Sequence, residues 1–154
     1  MLAATQVRLS RPDDGRVQTL LAELDAYLYR QYPPDELGTE INHILDVAAL
    51  LRPEVTFVAA WQVEEPLGCG AIRRMDDGQG PYAEVKRMYV RPAARGQRIA
   101  ERILDTLEQL ARSEDRKRML LETGPRQPEA LRLYERCGYI VCGPFGGYPP
   151  HPLS

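Results

Sequence analysis

Between Tyr82 and Gly124 the spacing of apolar residues changes twice, and this double change restricts the possible folds more than any other feature of the chain. YAEVKRMYV reads as a strand. From Arg98 onward, Ile99, Ile103, Leu107 and Leu110 fall on one helical face, with Ala100, Leu104 and Ala111 beside them, and KRMLLETG reads again as a short buried strand. A strand, a helix and a strand in succession make a right-handed crossover, so the two strands are expected to lie parallel in one sheet with the helix packed on its face. Glu108 and Arg112, four residues apart, predict an ion pair along that helix.

The remaining segments extend the sheet. TQVRLS alternates like a strand, and RPDDGRV offers Asp13 or Asp14 as N-cap for the helix VQTLLAELDAYLYRQY. YPPDE then breaks the chain, after which LGTEINHILDVAALL has helical spacing at Leu37, Ile41, Ile44, Leu45 and Ala48 until Pro53 stops it. VTFVAAWQV and LGCGAIRRM, joined by EEP, predict a hairpin, and the turn DDGQGP leads into YAEVKRMYV, giving three consecutive antiparallel strands. GPRQPEALRLYERCG predicts a helix closed by Gly138 at C′, and YIVCG a last strand. The expectation is an α/β (α+β) domain over residues 1–154: a mixed, mostly antiparallel sheet with one parallel strand pair and helices on both faces. The tail PFGGYPPHPLS is too rich in Gly and Pro to be a regular central strand.

At 154 residues the chain has the length of one domain with a sizeable core. A formal charge of −2 argues against a general nucleic-acid binder, which carries a clear basic excess. Met1 to Arg11 lacks the features of a signal peptide, and no stretch approaches the roughly 18 apolar residues of a membrane span, so a cytoplasmic location without membrane contact is expected. Cys69, Cys137 and Cys142 form no CxxC pair and are expected to be reduced and mostly packed. His43 and His151 have no acidic or cysteine partner at ligand spacing, so no metal is expected.

The loop within YVRPAARGQRIAERIL carries three arginines and one glycine ahead of a helix. A first helical turn has unpaired N–H groups and the positive end of the dipole, which together suit an anion. GxxxxGK[ST] is absent and no GxGxxG follows a strand, which disfavours nucleotide sites of those kinds. What remains is R-G-Q-R-I-A, Arg95 to Ala100, whose N–H groups could converge on a phosphate or pyrophosphate; a solvated basic loop is the plain alternative.

In context the loop says more. AEVKRMYVRPAARGQRIAERIL followed by QPEALRLYERCGY resembles the GNAT superfamily of acetyl-CoA-dependent N-acetyltransferases, whose loop reads [QR]-x-x-G-x-[GA]. Arg95 and Ala100 occupy the ends of that pattern, while Gln127, Ala130, Tyr134, Gly138 and Tyr139 fit its later N-x-x-A-x-x-x-Y-x-x-x-G-[FY] element. There are two departures: Arg98 stands where the family usually has a glycine, and Gln127 replaces the commoner asparagine. The chain also reaches Ser154 where related proteins continue into a final strand, so either that strand lies outside this sequence or the sheet edge is covered by the tail or by a partner, a homodimer being one form.

The resemblance implies acetyl-CoA as co-substrate, contacted by Met88, Tyr89, Val90, Arg95, Gly96, Gln97, Arg98, Ile99, Ala100, Gln127 and Tyr134. It also implies an amine acceptor, a small molecule or a peptide. Acyl transfer from a thioester needs a neutral amine, an oxyanion stabiliser and a proton for the departing thiolate. By the resemblance, the backbone of Met88 to Val90 polarises the thioester carbonyl, Tyr134 is the general acid, and Glu84 is the candidate base with Glu122 as its competitor. A packing role is the alternative for Tyr134, and a structural ion pair for either carboxylate. Strand alternation sends some of Arg73, Arg74, Lys86 and Arg87 towards the acceptor, where they could bind a carboxylate and favour a small acidic substrate over a basic tail. By the resemblance Tyr27, Tyr32 and Tyr148 fall where the family builds its acceptor wall, with plain loop and helix packing as the favoured alternative. The expected chemistry is direct transfer in a ternary complex, without a metal or an acetyl-enzyme on Cys137 or Cys142. The alternatives are a non-catalytic module that binds CoA or acetyl-CoA as a sensor or subunit, and a phosphate-binding interaction domain.

Overall fold

Asp14 starts the first helix. It stands just outside α1 (Gly15–Gln31), and its carboxylate accepts the N–H of Arg16 at 2.9 Å, which settles the choice between the two aspartates. The computed structural model describes residues 4–31, 46–123 and 127–143. β1 (Thr5–Leu9) precedes α1; α2 (Val47–Leu50), β2 (Val55–Gln62), β3 (Glu65–Asp76) and β4 (Pro81–Val90) follow it. A 3-10 turn at Pro92–Ala94 then leads into α3 (Ile99–Ser113), β5 (Met119–Leu120) and α4 (Pro128–Arg136).

The sheet runs in the order β1-β2-β3-β4-β5. Neighbours from β1 to β4 are antiparallel, while β4 and β5 lie parallel across α3, with Ala83 beside Met119 and Glu84 beside Leu120. Period-two alternation divides the core. Phe57, Ala59, Trp61, Cys69 and Ala71 pack under Val17, Leu20 and Leu21 of α1 and Leu50 of α2. Val58, Ile72, Ala83 and Val85 pack on the opposite face against Ile99, Ile103, Leu104 and Leu107 of α3 and Leu133 and Tyr134 of α4. Burying such side chains is the main favourable term in folding.

Alternation changes phase inside β4. Cys69 faces Tyr89, yet Ala71 faces Lys86, so β4 holds one residue more than β3 between these two pairs. Arg87 takes up the difference at φ 57, a left-handed conformation that is costly for a residue with a Cβ. Before the bulge Ala83 and Val85 face α3; after it Met88 and Val90 do. Opposite, Gly70 leaves room for this arrangement, since a Cβ there would stand 2.5 Å from Met88 Sδ and 2.8 Å from Ile103 Cγ2.

Several expected elements differ. KRMLLETG is a strand only at Met119–Leu120, which lie beside Ala83 and Glu84; the residues beyond Leu120 join no ladder among the described residues. YIVCG is not a strand: residues 139–143 join no ladder among the described residues, and Ile140 and Val141 are 89% and 94% exposed. The helix expected over LGTEINHILDVAALL does not run through Asp46, whose backbone is extended (φ −75, ψ 178) and whose side chain caps α2 by accepting the Ala49 N–H at 2.8 Å. Residues 37–45 lie outside the described residues. Cys142 is exposed rather than packed, and Cys137 is half-buried.

Candidate active site

Where β4 and β5 part they leave a cleft of about 520 Å³, a volume typical of small-molecule sites. Val85 to Val90 form one wall and Leu121, Glu122 and Thr123 the other. The start of α3, the inner side of α4, and Leu24, Tyr27 and Leu28 of α1 complete the lining.

The α3 end of the cleft has the features of an anion site. Gly96 has φ 84 and Arg98, the N-cap residue, has φ 59, so the chain enters α3 through two left-handed residues and no side chain caps the helix. Its first N–H groups are thereby left for a ligand. A Cβ on Gly96 would meet nothing within 4 Å; the glycine serves its φ rather than a tight fit. Arg95 Nη1 lies 3.2 Å from Glu129 Oε2, and Nε donates to Val90 O at 3.4 Å. Arg98 also lines the cleft, and its guanidinium has no partner among the described residues.

α4 contributes Tyr134 to the lining. Pro128 opens the helix and Gly138, at φ 89, closes it in a Schellman motif: Gly138 N–H donates to Glu135 O at 3.1 Å and Tyr139 N–H to Tyr134 O at 2.9 Å. The rings of Tyr134 and Tyr139 meet edge to face with centroids 5.6 Å apart, the apolar contact that accompanies such a cap. Burial pushes the Tyr134 phenol well above its ordinary range, so it stands protonated in the free protein.

On the α1 face, Glu84 is 1% exposed, with Arg73 Nη2 2.7 Å from Oε1 and Lys86 Nζ 3.3 Å from Oε2. Burial pulls the Lys86 amine below the ordinary lysine value, and Glu84 opposes that shift. Next along β4, Arg87 sends a buried guanidinium to Asp25 of α1.

Of the residues singled out in the sequence, Met88, Tyr89, Val90, Arg95, Gly96, Arg98, Ile99, Ala100, Gln127, Tyr134, Lys86 and Glu122 line this one cleft. Glu84 and Arg73 lie beneath Lys86 rather than in the lining, and Gln97 is exposed outside it. Arg74 turns to the far side of the sheet and pairs with Glu114 at 2.6 Å. Tyr32 and Tyr148 lie outside the described residues. Thr123 was missed by sequence reasoning; its Oγ1 is buried in the lining without a hydrogen-bond partner among the described residues. So was the tether on Arg87, because a bulge leaves no mark in the alternation of charged residues. Among the described residues no three His, Cys, Asp or Glu side chains form a metal-binding group, and no helix is long and apolar enough to cross a membrane.

Residues 17–139 match the family described as "Acetyltransferase (GNAT) family". The chain belongs to the GNAT acetyltransferase family. An "IAA acetyltransferase" of Azospirillum brasilense is 43% identical to this GNAT acetyltransferase over 150 residues, covering 97% of the chain and 93% of that protein. The uncharacterized N-acetyltransferase YedL of Escherichia coli (strain K12) is 34% identical over 140 residues, 90% of the chain and 83% of that protein. Among solved structures, a protein from Klebsiella pneumoniae described as an acyl-CoA N-acyltransferase superposes with a TM-score of 0.77 at 34% identity, covering 97% of this chain and 92% of that one. A predicted acetyltransferase of Clostridium acetobutylicum solved with acetyl-CoA shares the fold, with a TM-score of 0.64 at 19% identity over 90% of this chain and 92% of that one.

Proposed function

We propose that this GNAT acetyltransferase moves an acetyl group from acetyl-CoA directly to an amine of a small molecule or peptide, both substrates being bound together. The observation that carries the proposal is the convergence, in one cleft, of an uncapped α3 N-terminus, the bulged backbone after Arg87 and the buried phenol of Tyr134. The lining suits the donor along its length. Arg95, Arg98 and the open first turn of α3 face its diphosphate; Ile99, Ala100, Ala130 and Leu133 offer an apolar passage for the pantetheine arm; the Thr123 hydroxyl supplies an unused polar group.

In this reading, backbone groups of Met88 to Val90 polarise the thioester carbonyl. The amine nitrogen bonds to the carbonyl carbon as the carbon–sulfur bond breaks. Tyr134 gives its proton to the departing sulfur and recovers one from the acceptor or from solvent. Glu122 lines the cleft and can take the proton of an ammonium directly, whereas Glu84, shared by Arg73 and Lys86, acts only through Lys86. Lys86 on the cleft floor favours an acceptor with its own negative charge.

Replacing Tyr134 by Phe tests the assignment. Thiol release should fall by roughly 100-fold or more, the usual size of a general acid's contribution, while calorimetry shows acetyl-CoA binding nearly unchanged. Equal turnover in Tyr134→Phe and wild type would remove Tyr134 from the chemistry.

A further inference from the structure

A left-handed residue with a Cβ, buried inside a strand, calls for something that holds it there. Arg87 is such a residue: φ is 57, its side chain is 5% exposed, and it is the residue that makes the bulge. Glycine or asparagine would adopt this conformation more cheaply. What arginine adds is reach. Its Nη1 lies 2.7 Å from Asp25 Oδ1 of α1, and Nη2 is 3.5 Å from the Leu21 carbonyl one turn earlier. The contact with Asp25 is ionic rather than a directed hydrogen bond, because neither Nη1 nor Oδ1 has hydrogen-bond geometry to any partner. On the backbone side, the Arg87 carbonyl accepts a hydrogen bond from Cys69 Sγ at 3.2 Å. Two further ties follow on the same helix: Glu23 lies 3.5 Å from the Tyr89 hydroxyl and 3.0 Å from Arg91 Nη2.

We infer that Arg87 is a positioning residue: its tether to Asp25 fixes the bulge, and the bulge aims the Met88–Val90 backbone at the reacting carbonyl. This rests on the proposed function, in which that backbone polarises the thioester. α1 thereby sets the chemistry of a strand it merely covers. Arg87 itself touches no reacting atom; it acts through the φ and ψ of its own link in the chain.

The test compares wild type with Arg87→Gly, which keeps the left-handed backbone accessible but removes the tether, and with Asp25→Asn, which removes only the charge on a partner 41% exposed. Acetyl-CoA labelled at the thioester carbonyl is bound to each protein and its carbonyl stretch is read by infrared difference spectroscopy, alongside calorimetric affinity and melting temperature. In wild type the stretch should fall below that of the free thioester. Both variants should lose most of that shift while still binding acetyl-CoA. A full shift in folded variants would show that Arg87 is merely structural and would overturn the inference. No shift in wild type would instead sink the backbone-polarisation step, and the inference with it. Should Arg87→Gly fail to fold, the carbonyl stretch in Asp25→Asn alone separates these outcomes.

Discussion

Arg98 carries a conformational cost that the proposed function would offset. Its φ of 59 at the N-cap of α3 is a glycine's conformation, and a Cβ there costs roughly 1–2 kcal/mol. Arg98 also lines the cleft beside the open helix N-terminus, and its guanidinium has no partner among the described residues. On the proposed function, a hydrogen bond from this charged group to a bound diphosphate would contribute about 1.5–3 kcal/mol, which matches or exceeds the strain. Arg98→Gly is therefore expected to melt no lower than wild type yet to bind CoA roughly 10-fold more weakly. Calorimetry in low and high salt checks this, since the lost contact should matter less as salt screens it. The sequence marks position 98 as unusual; only the backbone angle shows why a glycine belongs there and what the arginine gives up.

Among the elements, α4 shows what the sequence could and could not say. Gly138 at C′, Tyr134 inside and Tyr139 beyond were legible because a Schellman cap needs a left-handed residue at a fixed distance from two apolar ones. Gly138→Ala should cost about 1–2 kcal/mol from φ alone, since a Cβ there meets nothing within 4 Å. Thermal melting measures that cost, and turnover should fall with it as the Tyr134–Tyr139 pair loosens. The crossover through α3 was equally legible, since its apolar face repeats at helical spacing. The length of β5 and the fate of YIVCG were not, because a strand exists only where a neighbour offers a ladder, and apolar residues advertise a strand with or without one. The same holds for the candidate site: the Arg95–Ala100 loop and Tyr134, which line one cleft, stand out locally, whereas the burial of Glu84 and the Asp25 tether depend on residues brought from far along the chain.

Across the whole molecule, arginine–carboxylate pairs tie distant segments at the end of the sheet away from the α3 N-terminus. Arg118, before β5, holds Asp77 of the β3–β4 turn at 2.7 Å, and Arg74 of β3 holds Glu114 after α3 at 2.6 Å. Hydrogen bonds from arginine lower Asp77 from 3.8 to about 2, do the same to Asp14 beside Arg16, and lower Glu114. Carboxyls that ionise more readily folded than unfolded stabilise the fold above their unfolded values, and that contribution disappears as pH falls through the folded ones. The melting temperature should therefore drop between about pH 4 and pH 2, with a shallower slope in Asp77→Asn, which takes up one proton fewer on unfolding. Scanning calorimetry across that range checks both. The bulge in β4 has a different consequence, for how the chain can vary. One inserted residue puts the strand into two reading frames: Glu84 and Lys86 are written for the α1 face in the first, Arg87 and Tyr89 in the second. Substitutions on either side can retune one chamber at a time. A single deletion at the junction would exchange the chambers for every residue beyond it, so within β4 length is less free to change than sequence.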